Sequence, residues 1–473
     1  MPAATAEFDV LVVGSGPGGA SAAYYLARHG VNVGLVEKTE FPREKVCGDG
    51  LTPRAVAALL DMGIDTSDPG FVRVDGLRVY GRRGALDLPW PALSAWPGYG
   101  LVRTRLDFDE VLARRAVEAG ATLWERSEAV SAVMDRGWVT GAMVRRAQEP
   151  ALAAAPGRKR SSVQQQDVAV AATGSGDGDD GAGGGGTGGG GTGGRKAAVR
   201  DRPRKQTDLP LTEVRARFVL AADGASSRFA GQVGVRRDPT RPLGIAARRY
   251  YRMTRPMPTM LEAWLDLWDG DTIMPGYGWI FPLPDGVVNV GAGLLNTFHG
   301  FKDVSARRIF DIFVRMLPED WGLSEENATG PMKSGPLPMG FNRRPLAMPG
   351  MLVIGDAGGI VNPFNGEGIS YAMETGKMAA ELVYESLAGS RPGLAHIYPT
   401  LVRQRYGKYY AMGNVFVKLI GNPRIMRFAT EHGLHREWLM RFAMRLMANL
   451  SDGPRGDVQD KLLYAMERVS PTA

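Results

Sequence analysis

The sequence predicts an α/β fold: a Rossmann-like nucleotide-binding domain, an inserted mainly antiparallel β domain and a helical C-terminal region. Three observations carry this expectation. First, the apolar run Phe8–Val13, a Gly-rich turn, the helix-spaced segment Pro17–His29 and a second apolar run, Val31–Val36, form a βαβ unit. Such a unit requires a parallel sheet. Second, residues 240–340 are rich in strand formers, Trp and Pro, which fits antiparallel sheet. Third, His396–Ser470 carries many Met, Leu and Phe residues among basic ones and reads as helical.

The remaining elements follow in order. Val72, Val74, Leu77 and Val79 alternate like a strand, and strand formers return at Tyr99–Val102. A helix is expected over Asp107–Ala119, then strands at Ala129–Met134 and Trp138–Val144. From about Ala147 to Pro210 the pattern stops. Fourteen glycines fall between Gly174 and Gly194, too few apolar residues to offset the entropy of ordering. This segment is expected to be a disordered loop inserted between two strands of one ribbon. Its basic flanks, such as Arg158–Arg160, read as solvated charge, and no nucleic-acid partner is expected. Val214–Asp223 and Met351–Ile354 are further strands, the second followed by a helix from about Gly368 to Ala388. The expected division is a discontinuous nucleotide domain (1–70, 100–146, 211–240, 345–392), a substrate domain (71–99, 241–344), the insertion (147–210) and the basic helical region (393–473).

Composition bounds the function. The 473 residues allow two or three domains, and 44% apolar with 23% charged residues is ordinary for a globular protein. Cys47 is the only cysteine, which excludes an intrachain disulfide and Cys₄ or Cys₂His₂ zinc sites; no metal is expected. A reducing, cytoplasmic setting follows. The N-terminus has no signal-peptide pattern, and no run of about 18 apolar residues exists to span a bilayer. The net charge of +7 is local: residues 401–445 hold nine Lys/Arg against Glu431 and Glu437. Basic amphipathic helices there suit an anionic membrane surface, or a helical cap packed on the catalytic domains. The expected location is peripheral, on the inner face of the cell membrane.

The chemistry begins at Gly14-Ser15-Gly16-Pro17-Gly18-Gly19, which satisfies GxGxxG after a strand and before a helix. The glycines allow the turn, the approach of a pyrophosphate and close helix packing, and the helix N-terminus offers free N–H groups. Glu37 ends the next strand, where a carboxylate binds both ribose hydroxyls and repels a 2′-phosphate. Gly355-Asp356, just past a buried strand, with Gly366, Gly368 and Ile369 opening the following helix, matches a ribityl-binding element. The dipole of that helix suits the negative charge of reduced flavin. Asp223-Gly224 lies between these motifs. Together they indicate FAD rather than NAD.

Three further stretches carry a resemblance. Lys45-Val46-Cys47-Gly48-Asp49-Gly50-Leu51, Val102-Arg103-Thr104-Arg105-Leu106-Asp107 and Pro275-Gly276-Tyr277-Gly278-Trp279-Ile280-Phe281-Pro282 resemble motifs of the geranylgeranyl reductase family. That family belongs to the flavoproteins of p-hydroxybenzoate hydroxylase type. The resemblance runs from about Phe8 to Leu387, leaving out the insertion. It implies an FAD-dependent oxidoreductase acting on CH–CH groups that saturates double bonds in a polyprenyl chain, most like the bacterial members acting on the isoprenoid tail of menaquinone. It implies cofactor contacts at Gly14, Gly16, Pro17, Gly18, Gly19, Glu37, Lys38, Cys47, Gly48, Asp49, Gly50, Arg105, Val130, Asp223, Gly224, Gly355, Asp356, Gly366, Gly368 and Ile369. It implies a substrate pocket at Cys47, Tyr277, Trp279 and Phe281. The aromatic faces suit a transition state with carbocation character; Cys47 equally suits a small packed residue. The electron donor is open between NADPH, ferredoxin and another carrier. The other functions weighed are a geranylgeranyl diphosphate or lipid reductase, an aromatic hydroxylase, and a non-catalytic membrane-associated lipid carrier.

Overall fold

A computed structural model describes residues 5–81, 84–146, 209–274, 276–298, 300–389, 391–434 and 436–472. The disorder expected over 147–210 lies outside these, apart from its last two residues. The strands flanking it, Trp138–Arg145 and Leu211–Ala221, pair antiparallel, with Arg145 opposite Leu211.

Two large sheets dominate the described residues. The first has eight strands, and its path runs Ala347–Met348, Met351–Val353, Leu211–Ala221, Thr5–Val13, Val33–Val36, Thr122–Trp124. The ribbon Glu128–Asp135/Trp138–Arg145 branches from Leu211–Ala221. Strands Met351–Val353, Leu211–Ala221, Thr5–Val13, Val33–Val36 and Thr122–Trp124 are parallel. Their near-continuous Val/Leu runs are what a sheet covered on both faces requires.

Pro17–Arg28, Arg105–Glu118 and Ile369–Ala388 cover one face. The first and last cross very closely, because small residues stand at the contact. A methyl on Gly376 would collide with the Gly18 carbonyl oxygen and lie 3.2 Å from Ala22 N.

The second sheet has seven strands, ordered Lys333–Pro338, Leu243–Arg252, Val287–Leu295, Tyr277–Pro282, Leu261–Trp264, Gly76–Gly81, Gly84–Pro89. It is antiparallel except where Leu261–Trp264 meets Gly76–Gly81. The alternating run at 72–79 therefore divides between sheets. Val72–Val74 joins Gly100–Val102 and Gly50–Leu51 in a small three-stranded sheet. The chain changes sheets at Asp75, whose carbonyl accepts from Trp90 N–H. The helix expected from Asp107 begins two residues earlier, at Arg105.

The C-terminal region is helical. Tyr398–Ile420 packs Tyr398, Tyr406, Tyr409 and Tyr410 into the core shared with the helices that cover the first sheet. Pro423–Gly433 and Glu437–Ala448 turn back over the second sheet, where Leu434, Met440 and Met444 pack with Val79, Leu88 and Trp90. No helix among the described residues is long and apolar enough to cross a membrane.

Because the crossing at Gly376 has no room for a side chain, Gly376→Ala should lower the unfolding free energy by about 1–3 kcal/mol. Urea denaturation followed by circular dichroism measures this; an unchanged midpoint would contradict the tight crossing.

Candidate active site

The parallel strands end in one place. Ala222 N–H donates to Val13 O and Ile354 N–H donates to Ala221 O, so the turns after three remote strands leave the sheet side by side. They open onto a cavity of about 1200 Å³. That exceeds the roughly 300–1,000 Å³ of a site shaped for one small ligand.

At one end the lining is polar and glycine-rich. Gly14, at φ +97°, has no space for a side chain: a Cβ would lie 2.5 Å from Ala222 O. Gly16, Pro17, Gly18, Glu37 and Lys38 continue the wall. The Glu37 carboxylate accepts from Ser15 Oγ and Thr39 Oγ1, both at 2.8 Å, and pairs with Arg43 at 3.1 Å. Burial works to raise its pKa, but Arg43 and the two hydroxyls hold it below the usual value. Opposite, Asp223 accepts from Phe229 N–H through Oδ2 at 2.8 Å, while Oδ1 is buried without a partner. Burial pushes this carboxyl up. Gly224, Gly355, Asp356, Gly366, Gly368 and Ile369 line the same cavity. Arg105 forks onto Asp109 at 2.6 and 2.8 Å, and Arg43 reaches the same carboxylate at 2.8 Å.

Two of the expected cofactor contacts do not reach the wall. Gly19 is buried behind it against the Gly14 carbonyl, so its role is packing. Val130 gives its carbonyl to Gln232 Nε2 at 2.6 Å, and Ser127, Glu128 and Ala129 line the cavity instead.

The middle of the cavity is built on Asp49, a buried residue in the left-handed region at φ +65°. Its Oδ1 accepts from Arg105 N–H at 3.1 Å, and Oδ2 accepts from Tyr250 OH and Asn289 Nδ2, both at 2.8 Å. Burial pushes its pKa up to about 6 against those donors. Asn289 also donates to Cys47 O at 2.9 Å and accepts from Trp279 Nε1 at 3.0 Å. One side-chain amide thus ties the Cys47–Gly50 segment to the aromatic strand. Sequence reasoning missed Asn289 and Tyr250. The available signal was a lone Asn inside the apolar run Val287–Leu295. Gly48 and Gly50 abut the Phe281 ring. Burial, ahead of the opposing Arg105 charge, pushes the Cys47 thiol up.

Tyr277, Trp279 and Phe281 alternate on one strand and share a face, with ring centroids 5.6 and 6.2 Å apart. Gly293 and Gly291 stand opposite Tyr277 and Trp279 on the next strand, which leaves room for the rings. Pro275, the first residue of that motif, lies outside the described residues. Beyond the rings the cavity turns apolar and runs under the C-terminal helices, lined by Phe416, Ile420, Met426, Met440, Met444 and Met447. Sequence reasoning assigned these helices to a cap or a membrane surface and not to the cavity wall.

Comparison with known proteins agrees with this geometry. A family model described as FAD binding domain matches residues 7–174. The menaquinone reductase of Mycobacterium tuberculosis is 32% identical over 93% of this chain and 91% of its own length. The chain belongs to the geranylgeranyl reductase family of FAD-dependent oxidoreductases. A more distant relative in that family is the digeranylgeranylglycerophospholipid reductase of Thermoplasma acidophilum, 26% identical over 84% of each chain. Among solved structures, a geranylgeranyl bacteriochlorophyll reductase-like protein from Thermoplasma acidophilum shares the fold with a TM-score of 0.67 at 22% identity, covering 98% of this chain and 100% of its own. A flavin-dependent brominase shares it at 0.63 and 17%, covering 98% of each.

FAD fits the residues present. The glycine cradle at Gly14–Gly18, the Glu37 carboxylate, and the unpartnered Asp223 Oδ1 are suited to pyrophosphate, ribose hydroxyls and a further donor, respectively.

The amide of Asn289 is a junction whose loss strands buried polar groups on both sides. Asn289→Leu should cost about 1–3 kcal/mol in unfolding free energy for each group left unsatisfied. Chemical denaturation of the flavin-loaded protein tests it; a loss near zero would show that the network is not held by this residue.

Proposed function

We propose that the chain saturates a carbon–carbon double bond in the isoprenoid tail of menaquinone. The observation that carries this is the two-ended cavity: a polar, glycine-rich end for a dinucleotide, continuous with an aromatic and then Met-rich apolar end. When bound, FAD supplies the hydride for the reduction. The chain's own residues do the rest. Tyr277, Trp279 and Phe281 present faces that stabilise positive charge developing on an alkene carbon, and the apolar walls exclude water from it. A cavity of about 1200 Å³ leaves room for a chain substrate beside a dinucleotide. The similarity to menaquinone reductases across nearly the whole chain supports the choice of tail.

A lipid quinone sits in a bilayer, and the same helices that line the apolar end offer a surface for reaching it. Pro423–Gly433 and Glu437–Ala448 expose Phe428 (67%) and Trp438 (55%) beside exposed Arg424, Arg427, Arg436 and Arg441. We place this face on the anionic cytoplasmic surface of the membrane, where aromatic and basic side chains bind together.

Protein reduced without oxygen and mixed with menaquinone should reoxidise its flavin and yield a quinone heavier by two hydrogens in mass spectrometry. Reoxidation only on admitting oxygen would refute the reductase assignment. Flotation with vesicles should show binding to anionic but not neutral lipid, weakened when Phe428 and Trp438 are both replaced by Ser; equal recovery with both lipids would refute the charge-assisted surface.

A further inference from the structure

A lipid substrate has to reach the aromatic strand from outside, so the places where the cavity meets the surface decide its route. Among the described residues, the exposed parts of the cavity wall fall into two groups. One is Lys38, Glu44, Ser226, Arg228, Ser334 and Pro336, beside the nucleotide-side turns and the edge strand Lys333–Pro338. Its charged and hydroxyl groups suit a dinucleotide, whereas a hydrocarbon chain passing there would strip them of water at a cost. The other is Phe428, Ala429, His432, Arg436 and Leu439, where helix Pro423–Gly433 ends and helix Glu437–Ala448 begins.

The second opening continues inward along one helix face. Arg436, Leu439, Met440, Ala443, Met444 and Met447 all line the cavity. Spacings of three and four residues put them on one side of helix Glu437–Ala448. Arg436 and Leu439 are exposed, whereas Met440 and Met444, further in, are buried. At 1.5 Å per residue the run from Arg436 to Met447 covers about 16 Å. At its inner end the Met447 carbonyl accepts from Asn362 Nδ2 at 2.9 Å. The same loop carries Asn365, whose carbonyl accepts from Tyr277 OH at 3.4 Å. The apolar face therefore leads from the surface to the loop that borders the aromatic strand. At the rim, His432 stacks on Phe428 with ring centroids 4.7 Å apart, and its Nδ1 lies 3.1 Å from the Phe428 carbonyl. Arg436 stands beside them, and its side chain takes no part in capping the helix it precedes.

We propose that the isoprenoid tail of menaquinone enters through this second opening, free end first, and that Arg436 holds the quinone ring at its rim. The inference rests on the reductase function proposed above. The hydrocarbon follows the face from Leu439 to Met447 towards Tyr277, in contact with apolar side chains along the way. The ring behaves differently, because its two oxygens are hydrogen-bond acceptors. Carried into a chamber of Met, Phe and Ile side chains they would be left unpaired, which is costly. At the rim the guanidinium of Arg436 supplies donors. The opening lies on the face that exposes Phe428 and Trp438, so a tail leaving a bilayer at that face need not cross water.

Flavin-loaded protein in neutral detergent micelles, without anionic lipid, separates entry from membrane binding. Reduced Leu439→Cys carrying a polyethylene glycol maleimide should lose most of its reoxidation by menaquinone. It should keep its FAD content and its reoxidation by oxygen, a molecule small enough to use the nucleotide-side opening. The same label on Val469→Cys, an exposed position off the cavity wall, should leave the quinone rate unchanged. Wild-type protein treated alike controls for Cys47. Arg436→Met keeps the stem of the side chain and removes its donors. Binding of menaquinone to the oxidised holoenzyme, followed by tryptophan fluorescence, should weaken about 10- to 100-fold, the usual worth of a hydrogen bond to a charged group. Binding of a polyprenyl hydrocarbon of equal length should not change. If labelled Leu439→Cys matches labelled Val469→Cys with menaquinone, the entry route is overturned. If Arg436→Met binds menaquinone as wild type does, or loses both ligands equally, the ring is not held at this rim and the proposal fails. Should labelled Leu439→Cys lose its FAD, Arg436→Met, which carries no label, decides. If wild-type protein itself is not reoxidised by menaquinone, the reductase function fails instead.

Discussion

The register of three parallel strands is the constraint on which the site depends. Val13 pairs with Ala221, and Ala221 pairs with Val353. Those pairs are separated by 208 and 132 positions in the chain. Their alignment puts the Gly14 turn, the Ala222–Asp223 turn and the Gly355–Asp356 turn on one edge. A one-residue slip in such a sheet would turn every side chain to the opposite face and stagger the turns. The buried Val and Leu side chains that cover both faces hold the register. The close crossing at Gly18 and Gly376 then brings the two nucleotide-side helices together, so backbone N–H groups converge where an anion is expected.

A second constraint links the sheets. The aromatic strand belongs to the antiparallel sheet, whereas Cys47–Gly50 belongs to the other half of the molecule. Asp49 and Asn289 join them through buried hydrogen bonds, and each group in that network is costly to leave unpaired. The pocket aromatics are thereby placed against the segment that faces the cofactor end. Polar groups set the geometry of an otherwise apolar chamber.

Much of the fold was legible because its signals are local. GxGxxG between a strand and a helix, Glu37 at a strand end, and Gly355-Asp356 after a buried run each fall within a few residues. Tyr277, Trp279 and Phe281 announce a shared face through alternation alone. Asn289 and Tyr250 were not legible: an Asn and a Tyr mean little until distant partners are brought to them. The C-terminal helices show the same limit. Their basic, apolar composition suggested a surface or a cap, but a helix displays several faces and composition does not say which neighbour each one meets. Here one side lines the cavity while another is exposed.

The sequence by itself determined the FAD-binding βαβ unit, the order of the cofactor motifs, the antiparallel nature of 240–340 and the helical tail, because periodicity and turn chemistry act over short spans. Only the tertiary structure decided that the tail closes the apolar end of the cavity and that Asn289 ties the Cys47–Gly50 segment to the aromatic strand. Those outcomes depend on packing between segments hundreds of residues apart, where burial and the supply of hydrogen-bond donors are set by neighbours that no local pattern names.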